Sequence, residues 1–168
     1  MADLRAELGI TQASLYAAFG SKEQLFREAV DLYRRTAGFS TTRALAIETS
    51  AREAIHAMLQ AAVDAFSAPG GCLLILGATN CAVENKAVQD HLMSIRRQIS
   101  QSILERRKRG QHEGDVPKAA PIVASVAYYS TVLHGLALLS RDGASRKTLM
   151  QVIEFAMRGW QQIVGRMG

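Results

Sequence analysis

The residues best suited to contact a partner lie near the amino terminus, where short polar side chains open a predicted helix. That helix runs from Gln12 to Phe19, and the side chains at its start belong to Thr11, Gln12, Ala13 and Ser14. Small and amide-bearing side chains in this position can enter the major groove of double-stranded DNA and reach base edges. Tyr16 and Lys22 can reach the phosphates beside them. The pattern predicts a DNA-reading helix, and from spacing alone a small helical hairpin without a ligand is equally open.

The elements that would position this helix are short and sharply bounded. Thr11 is a suitable N-cap for it and Gly20 a suitable end. Ser21 then opens a further helix through a capping box, and that helix continues to about Thr36. An earlier helix is predicted over residues 3–8. Two short helices joined by a glycine turn and followed by a longer one are typical of a helix-turn-helix.

The cysteines and histidines do not have the spacing of a metal or catalytic site. Cys72 and Cys81 lie nine residues apart in an apolar segment, and no Cys-x2-Cys or paired-His pattern occurs. Phosphate-binding glycine loops, dinucleotide fingerprints and clustered acidic pairs are also absent from the sequence. The sequence therefore predicts buried, inert thiols and a protein that is not an enzyme and needs no cofactor.

The composition is that of a globular protein, with 48% apolar and 21% charged residues in 168. The formal charge of +5 is concentrated between residues 96 and 109, where six cations and one anion occur, so the rest of the chain sums to zero. Within that segment, the run Arg106-Arg107-Lys108-Arg109 is interpreted as a solvated helix end. The longest apolar run, residues 72–78, is far below the roughly 20 residues that cross a bilayer. We expect a cytoplasmic protein with no membrane partner.

The remainder of the chain is predicted to be all-α, because apolar residues recur with a helical period and no alternating strand pattern appears. The predicted helices are Ala51–Phe66, Cys72–Ala82, Ala87–Arg109, Pro121–Ser140 and Ser145–Val164. Residues 110–115 are predicted to form a polar loop.

Two functions are predicted for this helical body. In the last helix an apolar seam at steps of four and three suits a dimer interface, and it consists of Leu149, Ile153, Ala156, Trp160 and Ile163. If the other long helices pack together, four residues could line an internal cavity: Met58, Cys81, His91 and Tyr129. An apolar cavity with few polar groups would favour a small hydrophobic or aromatic effector.

Residues 8–26, with the sequence LGITQASLYAAFGSKEQLF, resemble the signature of the TetR/AcrR repressors. The resemblance implies a dimer with a helix-turn-helix head, here residues 1–38, and an effector-binding and dimerisation domain, here residues 39–168. It places base reading on Thr11, Gln12, Ala13 and Ser14 and phosphate contacts on Tyr16 and Lys22. The implied function is a ligand-responsive repressor that binds a palindromic operator as a homodimer.

Two departures from the family pattern bear on this expectation. Ala18 stands where the family often has an aromatic residue or histidine. The family also places a helix and a basic arm before the residues that begin this chain, and residues 1–38 carry five acids and five bases. From these features we expect a shortened head that binds DNA weakly as written. The alternative function is a small-molecule-binding protein that acts through a protein partner without binding DNA.

Overall fold

The computed structural model describes residues 7, 9, 11–36, 38–47, 50–66, 71–77, 79 and 85–164, and within these ranges all regular structure is helical. The helices are α1 (Gln12–Phe19), α2 (Lys22–Arg35), α3 (Phe39–Ile47), α4 (Ala51–Ala65), α5 (Leu73–Leu76), α6 (Lys86–Glu113), α7 (Ile122–Arg141), α8 (Arg146–Arg158) and α9 (Trp160–Val164). The all-α prediction is confirmed. The helix predicted over residues 3–8 lies almost entirely outside the described residues.

The predicted helix-turn-helix ends are confirmed by local hydrogen bonds. Thr11 has an extended backbone, and its hydroxyl accepts from the Ser14 N–H at 3.1 Å. Gly20 ends α1 with a φ of +73°, a conformation that side chains with a Cβ rarely adopt. Ser21 then caps α2 by accepting from the Gln24 N–H at 3.0 Å. The turn between α1 and α2 is therefore fixed by residues within a few positions of each other.

The body is built around α4, which packs against α3, α6, α7 and α8. Ser50 and Glu53 form a capping box at its start, and Phe66 follows its last turn. The side chains of Ile55, Met58 and Leu59 are fully buried, which confirms the apolar stripe predicted for this segment. The preceding helix, α3, was not predicted, and its range falls where the polar head gives way to the body.

The helix predicted over Cys72–Ala82 is shorter than predicted over its described part, residues 72–77 and 79. Among these residues only α5 is helical, and Gly77 ends it with an extended backbone. A Cβ on Gly77 would collide with the Leu73 carbonyl and approach Leu92 Cδ1 to 2.9 Å, so the packing here requires glycine. The later part of the segment, including Cys81, lies outside the described residues.

Helix α6 is longer than predicted, and half of its basic run is buried. It continues to Glu113 because Gly114, with a φ of +88°, supplies the left-handed end in place of Gly110. Arg106 and Arg107 are buried in the body. Arg109 donates to the Leu45 carbonyl at 3.3 Å and so joins α6 to α3. The solvated-end interpretation is therefore wrong for Arg106 and Arg107, which face the interior of the body, whereas Lys108 and Arg109 are exposed.

The last predicted helix is broken at Gly159, which separates α8 from α9. Its apolar seam faces the interior of the protomer: four of its members are buried and one is partly buried, namely Leu149, Ile153, Ala156, Trp160 and Ile163. These side chains cannot also form the surface that meets a second copy. The assignment of the dimer contact to this seam is corrected, since α8 needs its stripe to pack against α4 and α7.

Helix α7 keeps an apolar face exposed after its other face has packed into the body. Among the described residues, five of the seven exposed large apolar side chains lie on α7 and α8: Val123, Tyr128, Leu138, Leu139 and Phe155. We call this set the α7–α8 face. By length and composition α7 could also cross a membrane, with a mean hydropathy of 1.6. Serines interrupt its apolar residues, so it contains no long unbroken apolar run.

Candidate functional site

Four of the predicted DNA-reading residues lie together at the exposed amino-terminal end of α1, which we call the exposed edge of α1. Thr11, Gln12, Ala13 and Ser14 are all exposed, and so is Lys22 at the start of α2. Tyr16 is half-buried, and its hydroxyl accepts from Gln12 Nε2 at 3.3 Å. The Thr11 and Ser14 hydroxyls lie 3.0 Å apart. The structure therefore presents short polar groups at the start of α1, and the hydrogen bond between Thr11 and Ser14 fixes the backbone there.

Helix α1 is anchored on its opposite side. Leu15 is only 1% exposed, and α1 packs against α2. Helix α2 in turn reaches the body, because Val30 is fully buried in the main core and Arg34 Nη2 donates to Gln98 Oε1 of α6 at 3.1 Å. Helix α2 therefore links α1 to the body through these two contacts.

A cavity of about 600 Å³ lies where the end of α2 meets the body. One part of its wall is apolar and includes Phe66, Leu74, Ile75, Ile95, Ile99 and Leu133. The other part is polar and includes Asp31, Arg34, Arg35, Thr41, Gln98 and Ser102. This volume is within the range of small-molecule sites in proteins. A ligand in this cavity would therefore contact α2 directly, and α2 is the helix that carries the head.

Tyr33 forms a second contact between α2 and the body at this cavity. Its hydroxyl interacts with the Cys72 thiol, and both residues line the cavity. Burial raises the pKa of Tyr33, and the neighbouring Cys72 raises it further. The phenol therefore stays protonated at neutral pH and remains a hydrogen-bond donor.

Comparison with known proteins places this arrangement in one family. The family model for bacterial regulatory proteins of the tetR family matches residues 1–29. The TetR family transcriptional regulator CifR, solved as a cysteine mutant complexed with 26-bp double-strand operator DNA, is 37% identical and superposes with a TM-score of 0.91. That match covers 95% of this chain and 85% of the CifR chain. This chain belongs to the TetR family of transcriptional regulators.

Two further TetR relatives show how the likeness varies. A TetR transcriptional regulator from Rhodococcus sp. RHA1 is 30% identical with a TM-score of 0.69, and the match covers 99% of this chain and 88% of that one. The HTH-type transcriptional repressor ComR of Escherichia coli is 26% identical over 168 residues, which are 98% of this chain and 80% of ComR. The resemblance drawn from residues 8–26 is confirmed, and it extends through the body.

The cavity of this TetR protein is not lined by the described residues that the sequence suggested for it. Met58 and Tyr129 are fully buried in the core, and His91 is half-buried on α6. Cys81 lies outside the described residues. The arginines and tyrosine at the end of α2 were missed, although the sequence Tyr33-Arg34-Arg35 at the end of an amphipathic helix offered a signal.

A second polar cluster, inside the body, holds the basic run of α6. The Arg107 guanidinium is fully buried and stacks over the Trp160 ring at 4.5 Å from its centroid. Burial lowers the pKa of Arg107, while Tyr129 and Asp115 partly offset that effect. Arg106 lies 3.3 Å from Glu113 Oε2 and 3.6 Å from Asp115 Oδ2. This cluster is separate from the cavity and serves the stability of α6.

Proposed function

We propose that this TetR regulator is a ligand-responsive repressor that binds a palindromic operator as a homodimer in the cytoplasm. The exposed edge of α1 carries the proposal, because it presents groups suited to a major groove on a helix anchored by Leu15. CifR has been solved with operator DNA, and ComR is named as a repressor. Both relatives support the same role for this chain.

The residues of the α1 edge divide between bases and phosphates. Ser14 and Gln12 are proposed to read base edges, because their hydroxyl and amide groups are exposed at the start of the helix. Thr11 holds the backbone there through its cap, and Ala13 leaves room for close approach. Tyr16 and Lys22 are proposed to bind phosphates, which fixes the register of α1 on the duplex.

The homodimer is proposed to form through the α7–α8 face. Exposed apolar surface of this kind is stabilised by a partner, and a second copy of the chain supplies a self-complementary one. The predicted role of the last helix in the dimer is kept through Phe155 of α8, while the seam residues are replaced by the exposed ones of α7 and α8. The two α1 helices should then lie about 34 Å apart, one turn of DNA.

Effector control is proposed to act through α2. A ligand in the cavity contacts the end of α2 directly, and α2 carries α1. If the ligand binds a non-reading arrangement of the heads more tightly, by about 1–3 kcal/mol per coupled site, the operator is released. We propose this cavity as the site of a small, largely hydrophobic effector. It replaces the site predicted from the sequence, which consisted of Met58, Cys81, His91 and Tyr129.

The test is operator binding by the full-length protein over a range of salt concentrations, using DNA from upstream of its own gene. Replacing Lys22→Gln should weaken binding to all sequences and reduce the slope of log affinity against log salt by about 1. The matched control is Lys118→Gln, an exposed lysine between α6 and α7 that should leave the slope unchanged.

The outcome is decisive in both directions. Equal slopes for Lys22→Gln and Lys118→Gln would remove Lys22, at the start of α2, from the interface with phosphates. If the unaltered full-length protein failed to shift the operator at low salt, the alternative of a small-molecule-binding protein that acts through a protein partner would replace this proposal.

A further inference from the structure

We propose that the cavity takes an amphipathic organic anion, with its apolar chain on the body side and its carboxylate against the arginines at the end of α2. The regulatory consequence depends on the function proposed above, whereas the binding itself does not. The inference comes from how the two kinds of wall are divided between elements of the fold.

The apolar part of the cavity wall comes from the body. Ile95 and Ile99 project from α6, Leu74 and Ile75 from α5, and Leu133 from α7. All but Ile99 are buried. A hydrocarbon chain placed here leaves water for a surface that is already apolar, and each methylene so buried tightens binding about fourfold.

The polar part of the wall is concentrated on α2 and carries a net positive charge. Arg34 and Arg35 are opposed by one carboxylate, that of Asp31, which lies 4.0 Å from Arg34 Nη1. Arg35 has no ion pair among the described residues. One cation at this wall is therefore in excess, and this matches the charge of a single carboxylate. A guanidinium also has the planar donor geometry that a carboxylate accepts from.

Arg34 links the anion to the position of α2. Its Nη2 donates to Gln98 Oε1 at 3.1 Å, which joins α2 to α6 across the cavity. A carboxylate that receives hydrogen bonds from Arg34 competes with Gln98 for the same donor. Occupancy therefore alters the attachment of the head-bearing helix to the body, which is the change that effector control requires.

The experiment is calorimetric titration of the full-length protein, without DNA, using octanoate, hexanoate, 1-octanol and octylammonium as probes. Octanoate should bind about fifteenfold more tightly than hexanoate, because two further methylenes are buried. It should also bind at least tenfold more tightly than 1-octanol, and octylammonium should not bind. These comparisons separate the contribution of the chain from that of the charge.

Variants locate the probe in the cavity. Arg35→Gln should weaken octanoate at least fivefold and leave 1-octanol unchanged, because Arg35 is exposed and its loss does not disturb the core. Ala65→Phe, which fills the apolar end, should weaken both probes. The matched control is Arg97→Gln, which removes an exposed arginine of α6 that lines a different groove with Arg96 and His134.

Two results would overturn the inference. Equal affinity for octanoate and 1-octanol would show that the arginines do not recognise the charge. If Arg97→Gln abolished octanoate binding and Arg35→Gln did not, the anion would be assigned to the other groove. Operator binding without ligand is measured separately: a protein that shifts its operator but binds no octanoate refutes this inference alone, and one that binds octanoate but no operator refutes the proposed function alone.

Discussion

Replacing Asp115 tests how the buried arginines of α6 are stabilised. The Asp115 carboxylate accepts from the Ala51 N–H at the start of α4, and it lies 3.6 Å from Arg106 Nη2. The Arg106 side chain is 1% exposed. The Arg107 guanidinium beside it has no hydrogen-bond partner within the described part of the chain. The Asp115 carboxylate therefore caps the start of α4 and also balances part of the positive charge of the buried arginines.

The expected cost of Asp115→Asn is about 2–4 kcal/mol in the free energy of unfolding. Removing one partner of a buried ion pair costs about 3–5 kcal/mol, because the other charge remains in the interior. Glu113 stays 3.3 Å from Arg106, and the Asp115 side chain is 25% exposed, so the expected cost is about 1 kcal/mol below that range. Asparagine keeps an oxygen for the Ala51 N–H. Asp115→Ala also removes that acceptor and should cost about 1 kcal/mol more.

The assay is urea and thermal unfolding at fixed protein concentration, since dimerisation would otherwise contribute to the apparent stability. For a chain of this size 1 kcal/mol shifts Tm by about 2–4 °C, so Asp115→Asn should lower Tm by about 4–16 °C. The matched control is Asp64→Asn. Asp64 pairs with Arg146 at 2.8 Å, yet both side chains are more than half exposed, so the loss should stay below about 1 kcal/mol. If Asp115→Asn were no more destabilising than Asp64→Asn, the argument from the buried charge would be refuted.

Three further predictions follow from other parts of the structure. Phe155→Glu on the α7–α8 face should dissociate the homodimer in sedimentation equilibrium, whereas Leu32→Glu, an equally apolar and exposed position on α2, should not; a dimer that survives Phe155→Glu contradicts the interface. Gly77→Ala should lower the unfolding free energy by about 1–3 kcal/mol in urea titrations, because its Cβ has no room beside Leu73 and Leu92, and an unchanged midpoint would show that the segment moves freely. Burial, and to a lesser extent the charge of Arg96, lowers the pKa of His134, so as the pH falls the unfolded chain binds a proton at this histidine before the folded protein does. The free energy of unfolding should therefore fall as the pH drops below about 6.5. His134→Gln should reduce this fall, which unfolding midpoints measured from pH 7.5 to 5.5 would show.

The sequence was sufficient wherever a few neighbouring residues decide the conformation. Thr11, Gly20 and Ser21 set the ends of α1 and α2 through a hydroxyl cap, a left-handed glycine and a second cap, all acting within four residues. The apolar stripe of α4 likewise identified its buried face, because a helix with one continuous apolar stripe has only one way to face a core.

Only the tertiary structure decided which surfaces are covered by other helices. The apolar seam of α8 has the pattern of a dimer interface, yet the body uses it internally because α4 and α7 lie against it. Arg106 and Arg107 have the composition of a solvated run, yet Asp115 folds back onto Arg106 from the turn after α6, and Trp160 reaches Arg107 from a distant part of the chain. The cavity formed for the same reason, since its walls come from six separate helices together with the residues that join them. Local sequence sets the faces of each helix, and the packing of helices far apart in sequence determines which of those faces is left for a partner.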